Sequence, residues 1–269
     1  MSLPLSTTQS LSATDLESPQ SDTFTGGTAV WYSHRSPDKT TENEDSLTLI
    51  PINSSTGILA VADGLGGHVN GAAASRTVVE SFQSIMQAAD PTDLRTAILN
   101  AIELSNQEIL QNIPGAATTL AVVELCGRQI RTYHAGDSII LVTGQRGKRK
   151  YMSMAHSPVG YAVESGMLDE DDAVHHEARH LVSNVIGSPE MSIEMGAGIE
   201  LAARDTLLIA SDGLPDNLYL EEIINTIRSG PLEACALSLI AQAQQRMHSE
   251  DTTHPHHPDD LSFILYRPA

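Results

Sequence analysis

The sequence predicts an α+β fold built on antiparallel strands. Three observations carry this expectation. Short β-branched and apolar runs come in blocks separated by amphipathic helical stripes; several runs follow one another through turns of a few residues; and two of them, GILAVADG (57–64) and TLLIASDG (206–213), end on the same Asp-Gly pair. With 41% hydrophobic and 18% charged residues in a chain of 269, there is enough apolar material for a sizeable core in one large domain or two small ones.

Taken in order, residues 1–24 are rich in Ser, Thr, Pro and Gln, have few large apolar groups, and read as a flexible tail ahead of a folded domain spanning 25–269. Short β-branched runs start at Thr28, and 57–64 reads as an apolar strand stopping at Asp63 and Gly64. Val78, Val79, Phe82, Ile85 and Met86 fall at helical spacing. A second helix is announced by Asp90, Pro91, Thr92 and Asp93, a capping carboxylate with a proline in the first turn, and its apolar face carries Leu94, Ile98, Ile102 and Ile109. TTLAVVEL, RQIRTYHA and SIILVT then read as a three-stranded meander with turns at Cys126-Gly127 and Gly136-Asp137. Residues from about 156 to 190 lose this regularity and read as a surface excursion; strands resume near Ser192–Leu201. TLLIASDG precedes two more helical stripes, Leu220, Ile223, Ile224, Ile227 and Leu232, Ala236, Leu239, Ala243, and LSFILY ends the pattern as a strand.

The charge balance excludes some functions. A net charge of −19 opposes domain-wide attraction to nucleic acid or to an anionic membrane and favours a basic substrate segment. No run of about 20 apolar residues could span a bilayer, and the first residues show no leader, so the expected location is the cytoplasm. Cys126 and Cys235, without paired spacing, read as reduced core residues.

The chemistry is carried by acidic residues at strand ends: Asp63, Asp212, and the pairs Glu44-Asp45 and Asp259-Asp260. Any one Asp-Gly after a strand is an ordinary turn, but four acidic strand mouths can converge on one end of a sheet stack. Carboxylates so gathered repel unless a cation neutralises them, and all-oxygen ligands favour Mg²⁺ or Mn²⁺ over zinc. Two such ions can share a water, lower its pKa and offset charge on phosphorus, which points to phosphate ester hydrolysis. ADGLGGH is not a dinucleotide loop: Val69 takes the third glycine position and Asp63 would meet the pyrophosphate with like charge. No Gly-Lys-Ser/Thr ending supports a P-loop.

In order along about 220 residues, NEDS (43–46), VADGLGGHVNGAAAS (61–75), GAATTL (115–120), AGDS (135–138), SDGLPDN (211–217) and DDLSFI (259–264) resemble the PPM/PP2C family of metal-dependent protein serine/threonine phosphatases, bacterial members above all. The stretch around His156, Ser157, Gly166, His176 and Gly187 looks like that family's mobile flap. The resemblance implies a four-layer αββα sandwich, two mainly antiparallel sheets flanked by helical pairs. It implies hydrolysis of phosphoserine and phosphothreonine in proteins, with a cognate kinase as a further partner. It assigns Asp63 to both ions, the Gly64 carbonyl to the second, Asp212 and Asp259 to the first, Glu44 to a bound water, and Asp137 with Asp212 to a third ion.

Three departures bear on this. Thr40 stands where many relatives carry a phosphate-gripping arginine, leaving Arg35 and Lys39 as candidate substrate contacts. Leu65 replaces the histidine of animal enzymes, and Ile139 replaces a frequent arginine after AGDS. The missing arginine motivates an alternative, a weak or inactive regulatory module of the same fold. His248, His254, His256 and His257 read as a solvated loop rather than a soft metal site, and His175, His176 and His180 as surface or substrate-side contacts. Met152 and Met154 read as core.

Overall fold

The computed structural model describes residues 7–65, 70–87, 93–249 and 253–269. The order of elements is β1 (Gln9–Ser12), β2 (Gln20–Phe24), β3 (Gly27–His34), β4 (Asp45–Pro51), β5 (Thr56–Asp63), α1 (Gly71–Gln87), α2 (Leu94–Asn112), β6 (Leu120–Cys126), β7 (Gln129–Ala135), β8 (Ile139–Thr143) and β9 (Arg149–Met152). There follow α3 (Pro158–Glu164), α4 (Glu170–Ala173), β10 (Glu194–Met195), β11 (Ile199–Glu200), β12 (Thr206–Ala210), α5 (Leu220–Ile227), α6 (Leu232–Met247) and β13 (Leu261–Pro268).

The strands form two antiparallel sheets, one ordered β1-β4-β5-β6-β7-β10 with β11 also on β7, the other β2-β3-β13-β12-β8-β9. Strand parity divides the core into three layers. In β5, Ile58, Ala60 and Ala62 join Val78, Phe82, Ile98 and Ile102 of α1 and α2, whereas Leu59 and Val61 enter the space between the sheets. In β12, Leu208 and Ala210 pack with Ile223, Leu239 and Ala243 of α5 and α6, while Leu207 and Ile209 face Leu49, Val123 and Ile264. Covered on both faces, these strands read as continuous apolar runs rather than as an alternation. The result is the αββα sandwich.

Several expectations are corrected. Residues 1–24 are not all tail: β1 pairs with β4, β2 pairs with β3, and Phe24 is fully buried between the sheets. Backbone hydrogen bonds to existing strand edges order these polar segments. The meander is only two strands long, since β8 leaves β7 for the second sheet and pairs with β12 and β9. Gly136, at φ +107, makes that crossing possible and sets Asp137 on it. Cys126 is exposed at the end of β6 and only Cys235 is core; Met152 and Met154 are half-buried. At α2, Asp93 caps the helix by accepting from the Thr96 N–H, while Asp90, Pro91 and Thr92 lie outside the described residues. No helix among the described residues is long and apolar enough to cross a membrane.

Candidate functional site

The parity that buries Leu47 and Leu49, and Leu59 and Val61, between the sheets carries on to Asp45 and Asp63, which stand opposite each other at the end of the β4–β5 ladder. In the facing sheet, Leu207 and Ile209 lead to Ser211 and then Asp212 just past β12, and Asp259 and Asp260 precede β13. One end of the sandwich therefore gathers acidic groups from both sheets. Ser211 Oγ donates to Asp45 Oδ2 at 2.8 Å and ties the two sheets together there.

Like charges gathered in a partly buried cleft raise one another's pKa. Asp63 is held well above the usual carboxylate range by burial, then by the charges of Asp45, Asp259 and Asp137, with Asp212 in hydrogen-bonding reach. Asp212 is raised in the same way by burial, then by Asp63, Asp259, Asp216 and Asp137. Burial first, and neighbouring carboxylates next, push Asp45 and Asp137 up to about 7. Asp45 Oδ1 and Asp137 Oδ1 are buried without a partner among the described residues. Orphaned carboxylate oxygens beside acids that cannot all ionise are the donor set a hard divalent cation requires. The residues present fit such ions.

The backbone fits as well. A side chain at Gly64 would collide with the Gly71 carbonyl and the Glu44 carbonyl oxygen, so only glycine lets the end of β5 pass this close to the start of α1. The Asp63 carbonyl accepts from Thr119 N–H at 2.8 Å and Thr118 Oγ1 at 2.7 Å, which anchors the turn.

The expected substrate contacts are engaged within the protein. Arg35 is turned outward to Asp15, at 3.3 Å. The Lys39 ammonium lies between Glu44 Oε2 at 2.5 Å and Asp260 Oδ2 at 2.6 Å. Burial opposes its charge, but these bonds outweigh that and raise its pKa. Asp260 also accepts from the Ser36 N–H and the Glu44 N–H, both at 2.7 Å, so it organises the loop that presents Glu44. Asp45 and Asp260, named in the sequence only as members of the acidic pairs, were given no individual role there; the parity of Asp45 with Leu47 and Leu49 was the available signal. Beside the acids opens a cavity of about 530 Å³ lined by Asp137, Asp212, Asp216, Lys150, Tyr151 and Arg179 among others, roofed by the 156–190 segment.

Comparison with known proteins agrees with this arrangement. The family model described as protein phosphatase 2C matches residues 32–250. The protein phosphatase PhpP of Streptococcus pneumoniae is 28% identical over 201 residues, covering 71% of this chain and 80% of its own. Among solved structures, the S. agalactiae serine/threonine phosphatase has a TM-score of 0.75 at 23% identity, covering 98% of this chain and 100% of that one. The catalytic domain of the serine/threonine protein phosphatase PstP in complex with two manganese ions has a TM-score of 0.69 at 22% identity, covering 89% of this chain and 96% of that one. A match spanning most of the chain, on a sandwich of the same architecture with its acids gathered at one end, shows that this chain belongs to the protein phosphatase 2C family.

Proposed function

We propose that this protein phosphatase hydrolyses phosphoserine and phosphothreonine in proteins at the acidic cleft, with a pair of Mg²⁺ or Mn²⁺ ions held by its carboxylates. The observation that carries the reading is the convergence of Asp45, Asp63, Asp137 and Asp212 beside Asp259, the first four with pKa values raised by burial and by neighbouring carboxylates. Asp63, the Gly64 carbonyl, Asp212 and Asp259 would hold the pair, Glu44 would act through water, and Asp137 with Asp212 would take a third ion. Bound there, divalent ions would acidify a water and offset charge on the phosphoryl oxygens. The chain's own residues do the rest. Asp260 and Lys39 fix the Glu44 loop, Thr118 and Thr119 fix the Asp63 turn, and the cavity beside Asp212 receives the peptide. With Thr40 in place of an arginine, Arg35 paired with Asp15 and Lys39 held between Glu44 and Asp260, none of these side chains is free to grip phosphate, and bound ions would supply that contact. A net charge of −19 favours a basic peptide around the phosphoresidue.

The test is hydrolysis of a basic phosphothreonine peptide in Mn²⁺ and in EDTA. Turnover in Mn²⁺ that EDTA abolishes is expected. Equal rates, or peptide binding without turnover at saturating Mn²⁺, would remove the hydrolytic reading.

A further inference from the structure

A second group of ligating side chains borders the acidic cleft and has been given no metal-binding role in it. His180 of the roof segment, Asp216 of the turn after β12 and His257 of the His-rich stretch before β13 each bring one nitrogen or carboxylate oxygen within 4.8 Å of the others. The two imidazole rings lie with centroids 4.2 Å apart and planes inclined by 35°. His180 Nδ1 is 3.4 Å from Asp216 Oδ2, and His257 Nε2 is 3.5 Å from Asp259 Oδ2.

Two sides of this group are rigidly supported. His257 donates its N–H to Asn217 Oδ1 at 2.9 Å and accepts from Asn217 Nδ2 through its carbonyl at 2.7 Å, and Asn217 is fully buried. The Asp216 N–H donates to the Asp212 carbonyl at 2.8 Å. The third side, His180, is exposed on the roof, next to Leu181 at 58% exposure. Arg179 Nε lies 3.7 Å from the same carboxylate oxygen and donates to His180 Nε2 at 3.2 Å, so an incoming ion would displace this cation from both ligands and take the His180 lone pair that it now occupies.

We propose that His180, Asp216 and His257 bind one borderline transition-metal ion such as Zn²⁺, and that this ion latches the roof segment onto the two loops that carry Asp212 and Asp259. Imidazole nitrogens with one carboxylate suit zinc or cobalt and suit magnesium poorly. Ligand atoms around tetrahedral zinc sit about 3.3 Å apart, so a small closure of the His180 side completes three ligands, with water as the fourth. The other histidine cluster, His134, His156 and Glu194, does not offer this chemistry. His156 Nδ1 accepts from both the Gly136 N–H and Asn184 Nδ2, so its Nε2 carries the proton facing Glu194 and has no lone pair for a metal.

The site stands without the phosphatase reading. The experiment is calorimetric titration of Zn²⁺ into the full chain held in saturating Mg²⁺, with chymotryptic cleavage after Leu181 followed in parallel. One zinc per chain is expected, with affinity falling about ten-fold or more in His180→Ala and in His257→Ala. Zinc should slow cleavage in the wild type and not in His180→Ala. Equal zinc stoichiometry and affinity in the wild type and both variants would mean that zinc enters the carboxylate cleft only, and would overturn the proposal, as would unslowed cleavage. If His257→Ala fails to fold, the exposed His180→Ala decides alone. Absent phosphatase turnover would leave the zinc titration unchanged, so the two readings fail separately.

Discussion

At the residue scale, the cleft costs the metal-free protein stability. Asp45 and Asp137 have folded pKa values raised to about 7, and Asp63 and Asp212 are raised well above the usual carboxylate range by burial and by each other. In the unfolded chain the same groups ionise near pH 4. The folded state therefore binds more protons between these limits, and stability present below about pH 4 is lost as pH rises through about 7. Thermal melts in EDTA should fall across that window, melts in Mn²⁺ should recover progressively more as pH rises, and Asp63→Asn should flatten the EDTA curve while reducing turnover about 10²–10³-fold. A metal-free melting temperature independent of pH would contradict this electrostatic picture. Asp63, Asp212 and Asp259 could be picked out of the sequence because each sits beside a glycine or at a strand mouth, whereas Asp137 was singled out only through the resemblance of AGDS to the family. The pairing of Lys39 with Asp260 could not, since their contact joins residues 221 positions apart that no local pattern connects.

At the scale of elements, the helices were legible because burial imposes a period on them, and the inner strands because, covered on both faces, they read as short continuous apolar runs. Ile58, Ala60 and Ala62 against Leu59 and Val61 separate cleanly by parity. The outer strands were not legible. SLS in β1 and SDT in β2 are polar, half-exposed stretches ordered by ladder hydrogen bonds to β4 and β3. Periodicity also says nothing about which sheet a strand joins, so the crossing at Gly136 was hidden even though β8 itself was evident. The cost of ignoring the N-terminal strands is testable. Phe24→Ala removes a fully buried ring from the inter-sheet core and should destabilise the protein by about 3–5 kcal/mol in denaturant titration. A loss under about 1 kcal/mol would place β2 outside the cooperative unit.

At the scale of the whole molecule, the sandwich is a device for bringing distant acids to one point. β5 delivers Asp63, β12 delivers Asp212 and the approach to β13 delivers Asp259, each at the same end of the stack. A roof segment closes over the cavity beside them, and the His-rich stretch, which read as a solvated loop, folds back so that His257 meets Asp259. The most direct measurement is an anomalous difference map from crystals soaked in Mn²⁺. The account predicts two strong peaks enclosed by Asp63, Asp212 and Asp259. A map in which those side chains face the soak and hold no manganese would contradict it.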